Sequence, residues 1–158
     1  MSRQSPTETA AQWGPVLLRL ALAIPMIVSG AGKVLAVGPK SMGISSFAGF
    51  LASLGVPLPA VAAWGVGLVE LVGGFLLLVG LFVRITGSLI AIIMFVAMVA
   101  VHLPNGYPSS SGGIEYTLTL VLLALAVVLS GPGALSLERA LFDEEVLTSG
   151  TGRSMRAD

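Results

Sequence analysis

Cysteine is absent from this 158-residue chain. With it go thiolate nucleophiles, disulfide exchange, iron–sulfur ligation and any dithiol shuttle. Redox chemistry here must belong to a bound cofactor or to a partner. Histidine occurs once, at His102, so a haem held by two histidines of one chain is excluded. Charged residues make up only 10% of the sequence, and 8 Lys and Arg balance 8 Asp and Glu. No basic surface is left to neutralise phosphates, which excludes nucleic acid as a partner.

What fills the chain is apolar: 55% hydrophobic residues and a mean hydropathy of +0.97, far from the balance of a water-soluble domain. The sequence therefore reads as an integral membrane protein whose first partner is the lipid bilayer. Residues 1–12 are polar and aperiodic and read as a mobile tail ending at Trp13. The first apolar run, 16–37, carries Arg19 and Lys33 and is longer than the roughly 7–15 residues of a secretory h-region, so it is expected to span rather than to be cleaved. Pro25 interrupts it, a defect that a helical bundle absorbs.

Spans two and three are expected at 60–82 and 85–103 with Val83 and Arg84 between them, and a short span four at 114–129. Between spans one and two, Phe47, Phe50, Leu51 and Leu54 fall at i, i+3, i+4 and i+7 and predict a short helix at the membrane surface or capping the bundle. Ser136 opens a short amphipathic helix through Leu147, and 148–158 is expected to be disordered. The predicted fold is all-α: a four-transmembrane-helix bundle over 13–135, with an interfacial helix between spans one and two and an amphipathic tail helix at 136–147. Arg3, Arg84, Arg139, Arg153 and Arg156 cluster on one side against Lys40 on the other, which predicts cytoplasmic N- and C-termini in the plasma membrane. Trp13, Trp64 and Tyr107 fit an aromatic belt.

Glu70 lies in the middle of span two. An acidic residue at a membrane helix centre costs about 2.5–3.5 kcal/mol unless compensated. Helical spacing puts Arg19, Met26, Gly30 and Lys33 on one face of span one, and Ala63, Gly67, Glu70 and Gly74 on one face of span two. Small residues at such spacing let another helix approach closely. Glu70 is thus expected to face protein, with Lys33 its first partner and Arg19 its second. Two readings stay open: an ion pair that fixes helix register, or a proton-handling group beside a small-molecule pocket. His102 and Glu115 sit near the outer ends of their spans, and two residues on separate spans define no metal site.

Three stretches taken together, residues 17–35, 55–87 and 112–141, resemble the DoxX family. The resemblance is carried by Arg19 and the Ser-Gly-x-Gly-Lys pattern ending at Lys33, Glu70 in a Gly-rich span, Glu115 opening span four, and the passage from Gly131, Pro132 and Gly133 to Ser136, Leu137 and Glu138. It implies a bacterial or archaeal four-helix membrane protein. Some family members resemble membrane subunits of quinone-linked oxidoreductases that handle sulfur compounds, and others are associated with oxidative-stress enzymes. Arg19, Lys33, Glu70 and Glu115 are the motif positions. The absent cysteines place any sulfur transfer on a partner.

The functional expectation is a membrane subunit that binds a quinone or another small amphipathic ligand between spans one, two and four, in support of a membrane-linked oxidoreductase. Glu70 and Glu115 are expected as catalytic proton acceptors, and Arg19, Lys33, His102 and Tyr116 as ligand contacts, with no metal. A soluble oxidoreductase or stress-defence enzyme and a second copy of the chain are the expected protein partners. The alternative is a non-enzymatic anchor or assembly partner for a soluble enzyme. A small-solute carrier ranks third, because the sequence has no internal repeat or paired broken helices.

Overall fold

The computed structural model describes residues 6–142, with side chains from residue 12 onward. Among these residues the structure is all-α, in the order α1 (Pro6–Val34), α2 (Ile44–Ser53), α3 (Pro59–Val79), α4 (Val83–Ala97), α5 (Glu115–Ser130) and α6 (Leu137–Phe142). A π-helical turn, Met98–His102, and a short 3-10 turn, Leu103–Asn105, prolong α4. Helices α1, α3, α4 and α5 form an up-down bundle, with α2 laid against α3.

Among the described residues, three stretches are long and apolar enough to cross a membrane: Gln12–Val34, Pro59–Val79 and Val83–Asn105. Helix α5 has 16 residues, shorter than the roughly 20 that a 30 Å hydrocarbon core requires, yet it packs along α4 and α1 as the fourth member. The outward faces carry exposed Leu17, Ile24, Phe75, Ile92, Phe95 and Leu122. Water would penalise such a surface, and lipid does not.

Helix α1 begins at Pro6, so the polar tail expected through residue 12 is shorter than its composition suggested. There the backbone continues the first span's helix. Pro15 and Pro25 are both accommodated within α1. Of the expected tail helix, Leu137–Phe142 is present; its remainder and the tail at 148–158 lie outside the described residues. Trp13, Trp64 and Tyr107 are all exposed, as a belt requires.

Lipid tails are as apolar as leucine, so helix association in a bilayer depends on close packing and polar contacts rather than on the hydrophobic effect. The glycines supply that closeness between α1 and α3. A Cβ on Gly30 would run into the backbone of Leu71, and one on Gly74 would lie 2.7 Å from Ile27 Cγ1. On the other side of the bundle, a Cβ on Gly87 would come within 2.9 Å of Val128. Between these seams Leu22, Met26, Leu77, Ile90, Leu120 and Ala124 form the core.

The α3–α4 connection is a tight reversal. Gly80 ends α3 with φ 72°, a left-handed conformation natural to glycine, and Leu81 N–H returns to Leu76 O at 2.9 Å. Phe82 precedes α4 with φ 51°. The conformation is held from outside. Glu138, 2% exposed, accepts the Val83 N–H at 3.1 Å, placing a carboxylate at the positive end of α4.

Candidate functional site: an ion pair on the wall of an apolar cavity

The two cations of span one lie on the buried face that spacing assigned them, but at opposite ends of the bundle. Arg19, 2% exposed, reaches the end of α3 and the segment leading to α6. Its Nε donates to Leu77 O at 3.1 Å. Nη1 donates to Pro132 O and, at 3.4 Å, to Ala134 O. Nη2 donates to Leu78 O at 3.5 Å and Leu135 O at 3.2 Å. A guanidinium has five N–H donors, and five carbonyl oxygens meet them. Ser136 Oγ adds a bond to Gly80 O at 2.9 Å, and the Glu138 N–H another at 3.0 Å. Arg19 is therefore a tie between backbone segments; its donors go to main-chain carbonyls rather than to Glu70, and it is not in the lining of the cavity described below.

Lys33 is the partner of Glu70. Its Nζ lies 2.5 Å from Glu70 Oε2 and 2.8 Å from Ser29 Oγ. It also sits 5.0 Å from the centroid of the Phe47 ring, a cation–π contact. The side chain of Glu70 is 2% exposed and that of Lys33 15%. Desolvating both charges costs several kcal/mol each, which the short contact and the surrounding donors offset. Gly67 allows the approach: a Cβ there would lie 2.9 Å from Val34 and 3.6 Å from Lys33 Cβ.

The pair faces a cavity of about 310 Å³ in the α2 half of the bundle, at the low end of the roughly 300–1,000 Å³ range of ligand pockets. Its polar lining comes from Ser29, Lys33, Glu70, Thr117, Lys40, Tyr116 and His102. The walls are apolar: Met26 from α1, Phe47, Phe50, Leu51 and Leu54 from α2, Met94 and Ala97 from α4, and Leu120 from α5. The α2 stripe seen in the sequence is thus one wall of this space. The π-helical turn supplies Val101 and His102. His102 Nδ1 is 2.7 Å from Gly112 O; a carbonyl only accepts, so Nδ1 carries the hydrogen.

Glu115 does not join this group. It is exposed at the start of α5, and its Oε2 accepts the Ser109 N–H at 2.8 Å, fixing the α4–α5 loop. This placement leaves it outside the lining of the cavity. Tyr116, its neighbour, does line the cavity. Three polar lining residues were not read as site residues from the sequence: Ser29, one helical turn before Lys33, Lys40, on the loop between α1 and α2, and Thr117 in α5. The first could have been found from the i, i+4 spacing. Among the described residues, no three His, Asp or Glu side chains converge as a metal site would need.

A short bundle of lipid-facing helices enclosing an ion-paired carboxylate beside an apolar cavity defines a class: small polytopic membrane proteins with an intramembrane polar site. Residues 14–103 match the DoxX family profile, and the chain belongs to that family. A Bacillus subtilis protein named "Putative oxidoreductase CatD" is 30% identical over 129 residues, covering 82% of this chain and 87% of that protein. A Haemophilus influenzae protein named "Uncharacterized protein" is 33% identical over 129 residues, covering 79% of this chain and 88% of that one. No solved structure matches.

Proposed function

We propose that this protein is a plasma-membrane subunit that binds a small quinone-like amphipathic molecule in the α2-side cavity and supports a membrane-linked oxidoreductase system. The observation that carries this reading is the Lys33–Glu70 pair on the wall of an otherwise apolar space of about 310 Å³. Few convergent polar groups within apolar walls are what orient an amphipathic ligand. Ser29 and Glu70 take two of the three Lys33 donors, and the third remains to hold a ligand oxygen. Glu70, on the same wall, is the proposed acceptor of a proton from a ligand hydroxyl, taken directly by its carboxylate. The walls from α2 and α4 accommodate the apolar body and keep water from the pair. A bound quinone would supply the redox chemistry that this cysteine-free chain does not. The naming of the Bacillus relative favours an oxidoreductase setting, with a soluble enzyme as electron partner and cytoplasmic termini to receive it.

The test compares wild type with Glu70→Gln, purified in mild detergent and extracted for bound lipids. Quinone is expected with the wild type and lost from the variant, which still folds but melts at a lower temperature because Lys33 has lost its counter-charge. A variant that collapses, from a wild type holding no quinone, would make the pair structural and leave the anchoring role.

A further inference from the structure

The cavity's charge is unbalanced. Lys33 and Glu70 cancel one another at its wall, while Lys40 also borders it. Among the described residues Lys40 forms no salt bridge; its Nζ lies 5.1 Å from the centroid of the Tyr116 ring. One positive charge therefore remains over the aromatic edge of an apolar space. We propose that Lys40 and Tyr116 form a specificity gate at the cavity mouth that selects amphiphiles with a singly anionic oxygen headgroup over neutral ones. This rests on the reading that the cavity holds a small amphipathic ligand, and it narrows the class of that ligand.

The position of Lys40 is built into the fold. A Cβ on Gly32 would collide with the carbonyl of Lys40, so glycine alone lets the loop close onto the end of α1. The N–H groups of Met42 and Gly43 both donate to Gly32 O at 3.0 Å. Ser41 N–H bonds Gly38 O at 3.2 Å, and Ser41 Oγ bonds Ala36 O at 2.7 Å. Four hydrogen bonds thus hold the residues on either side of Lys40 while its side chain is exposed at the mouth. Tyr116, exposed at the start of α5, offers a ring face to the ammonium and a hydroxyl to a headgroup. At such a mouth the local dielectric is lower than in water, so one unneutralised ammonium discriminates between an anion and its neutral isostere.

Two kinds of molecule share this chemistry, an ionised hydroxyquinone and a fatty-acid carboxylate, and paired probes separate them. Binding to the full chain in nanodiscs of neutral lipid is measured for an alkylated hydroxynaphthoquinone and its deoxy counterpart, and for a medium-chain fatty acid and the matching alcohol. In at least one pair the anion is expected to bind about tenfold more tightly, which corresponds to about 1.4 kcal/mol; the pair that does so identifies the source. Lys40→Gln is expected to remove the preference, and Lys40→Arg to keep it. Equal binding within both pairs, or a preference that survives Lys40→Gln, overturns the gate while leaving the cavity's ligand function intact. Failure of all four probes to bind overturns both.

Discussion

At the α3–α4 turn, Arg19 is met by carbonyl oxygens of residues 77, 78, 132, 134 and 135. At the α2 end, Lys33 meets the carboxylate of Glu70 on the wall of a cavity. Both ends bury a cation from the same face of α1, and the acceptors make the difference. Main-chain carbonyls are fixed by the helices that carry them and never take up a proton, so they make a permanent joint. A side-chain carboxylate on a cavity wall is not fixed in that way, and its only tie in the pair is to another side chain, that of Lys33. One end is a joint made with the main chain, and the other is a pair of side chains on the wall of a cavity.

Substitutions measure how far that contrast extends. The largest loss is expected from Arg19→Leu, which strands several buried carbonyls at about 1–3 kcal/mol each. Unfolding in detergent should show a loss on the order of 5 kcal/mol or a chain that no longer folds, and a mild effect would dissolve the distinction between the ends. Next comes Glu70→Ala, which leaves Lys33 buried without its counter-charge, at about 3–5 kcal/mol. The double variant Lys33→Met with Glu70→Leu should recover most of that stability, because well-packed apolar groups replace a buried pair at little cost. It should not recover bound quinone. A thermodynamic cycle over the four proteins, read by melting and by ligand extraction, separates the structural share of the pair from its functional share. The smallest effect is expected from Glu115→Gln, where the exposed side chain only secures a loop. Melting temperature and bound quinone should match the wild type, and a loss of quinone alone would return Glu115 to the site.

The architecture was largely legible because a bilayer permits few solutions: apolar runs of spanning length must be helices, and short loops make them antiparallel neighbours. Helical period also placed Glu70 and Lys33 on facing surfaces, and the glycines at 30, 67 and 74 between them. It failed to separate Arg19 from that group because period gives a face and says little about what waits at each depth. The carbonyls around Arg19 come from Pro132, Ala134 and Leu135, in a segment whose return to the bundle no spacing rule predicts. Glu115 misled for the opposite reason: its distance along the helix was right, but its direction is set by the Ser109 turn. Lys40 was invisible as a site residue because a loop, closed by Gly32, carries it there. Side chains on long helices follow from sequence; those delivered by turns do not.

The cavity's confinement to the α2 half has a consequence for supply. On the proposed ligand-binding reading, a molecule entering it sideways would be drawn from one monolayer, the one on the side of α2. Occupancy would then follow that monolayer's composition, and vesicles carrying the ligand asymmetrically would fill the cavity or leave it empty according to which way the protein was inserted.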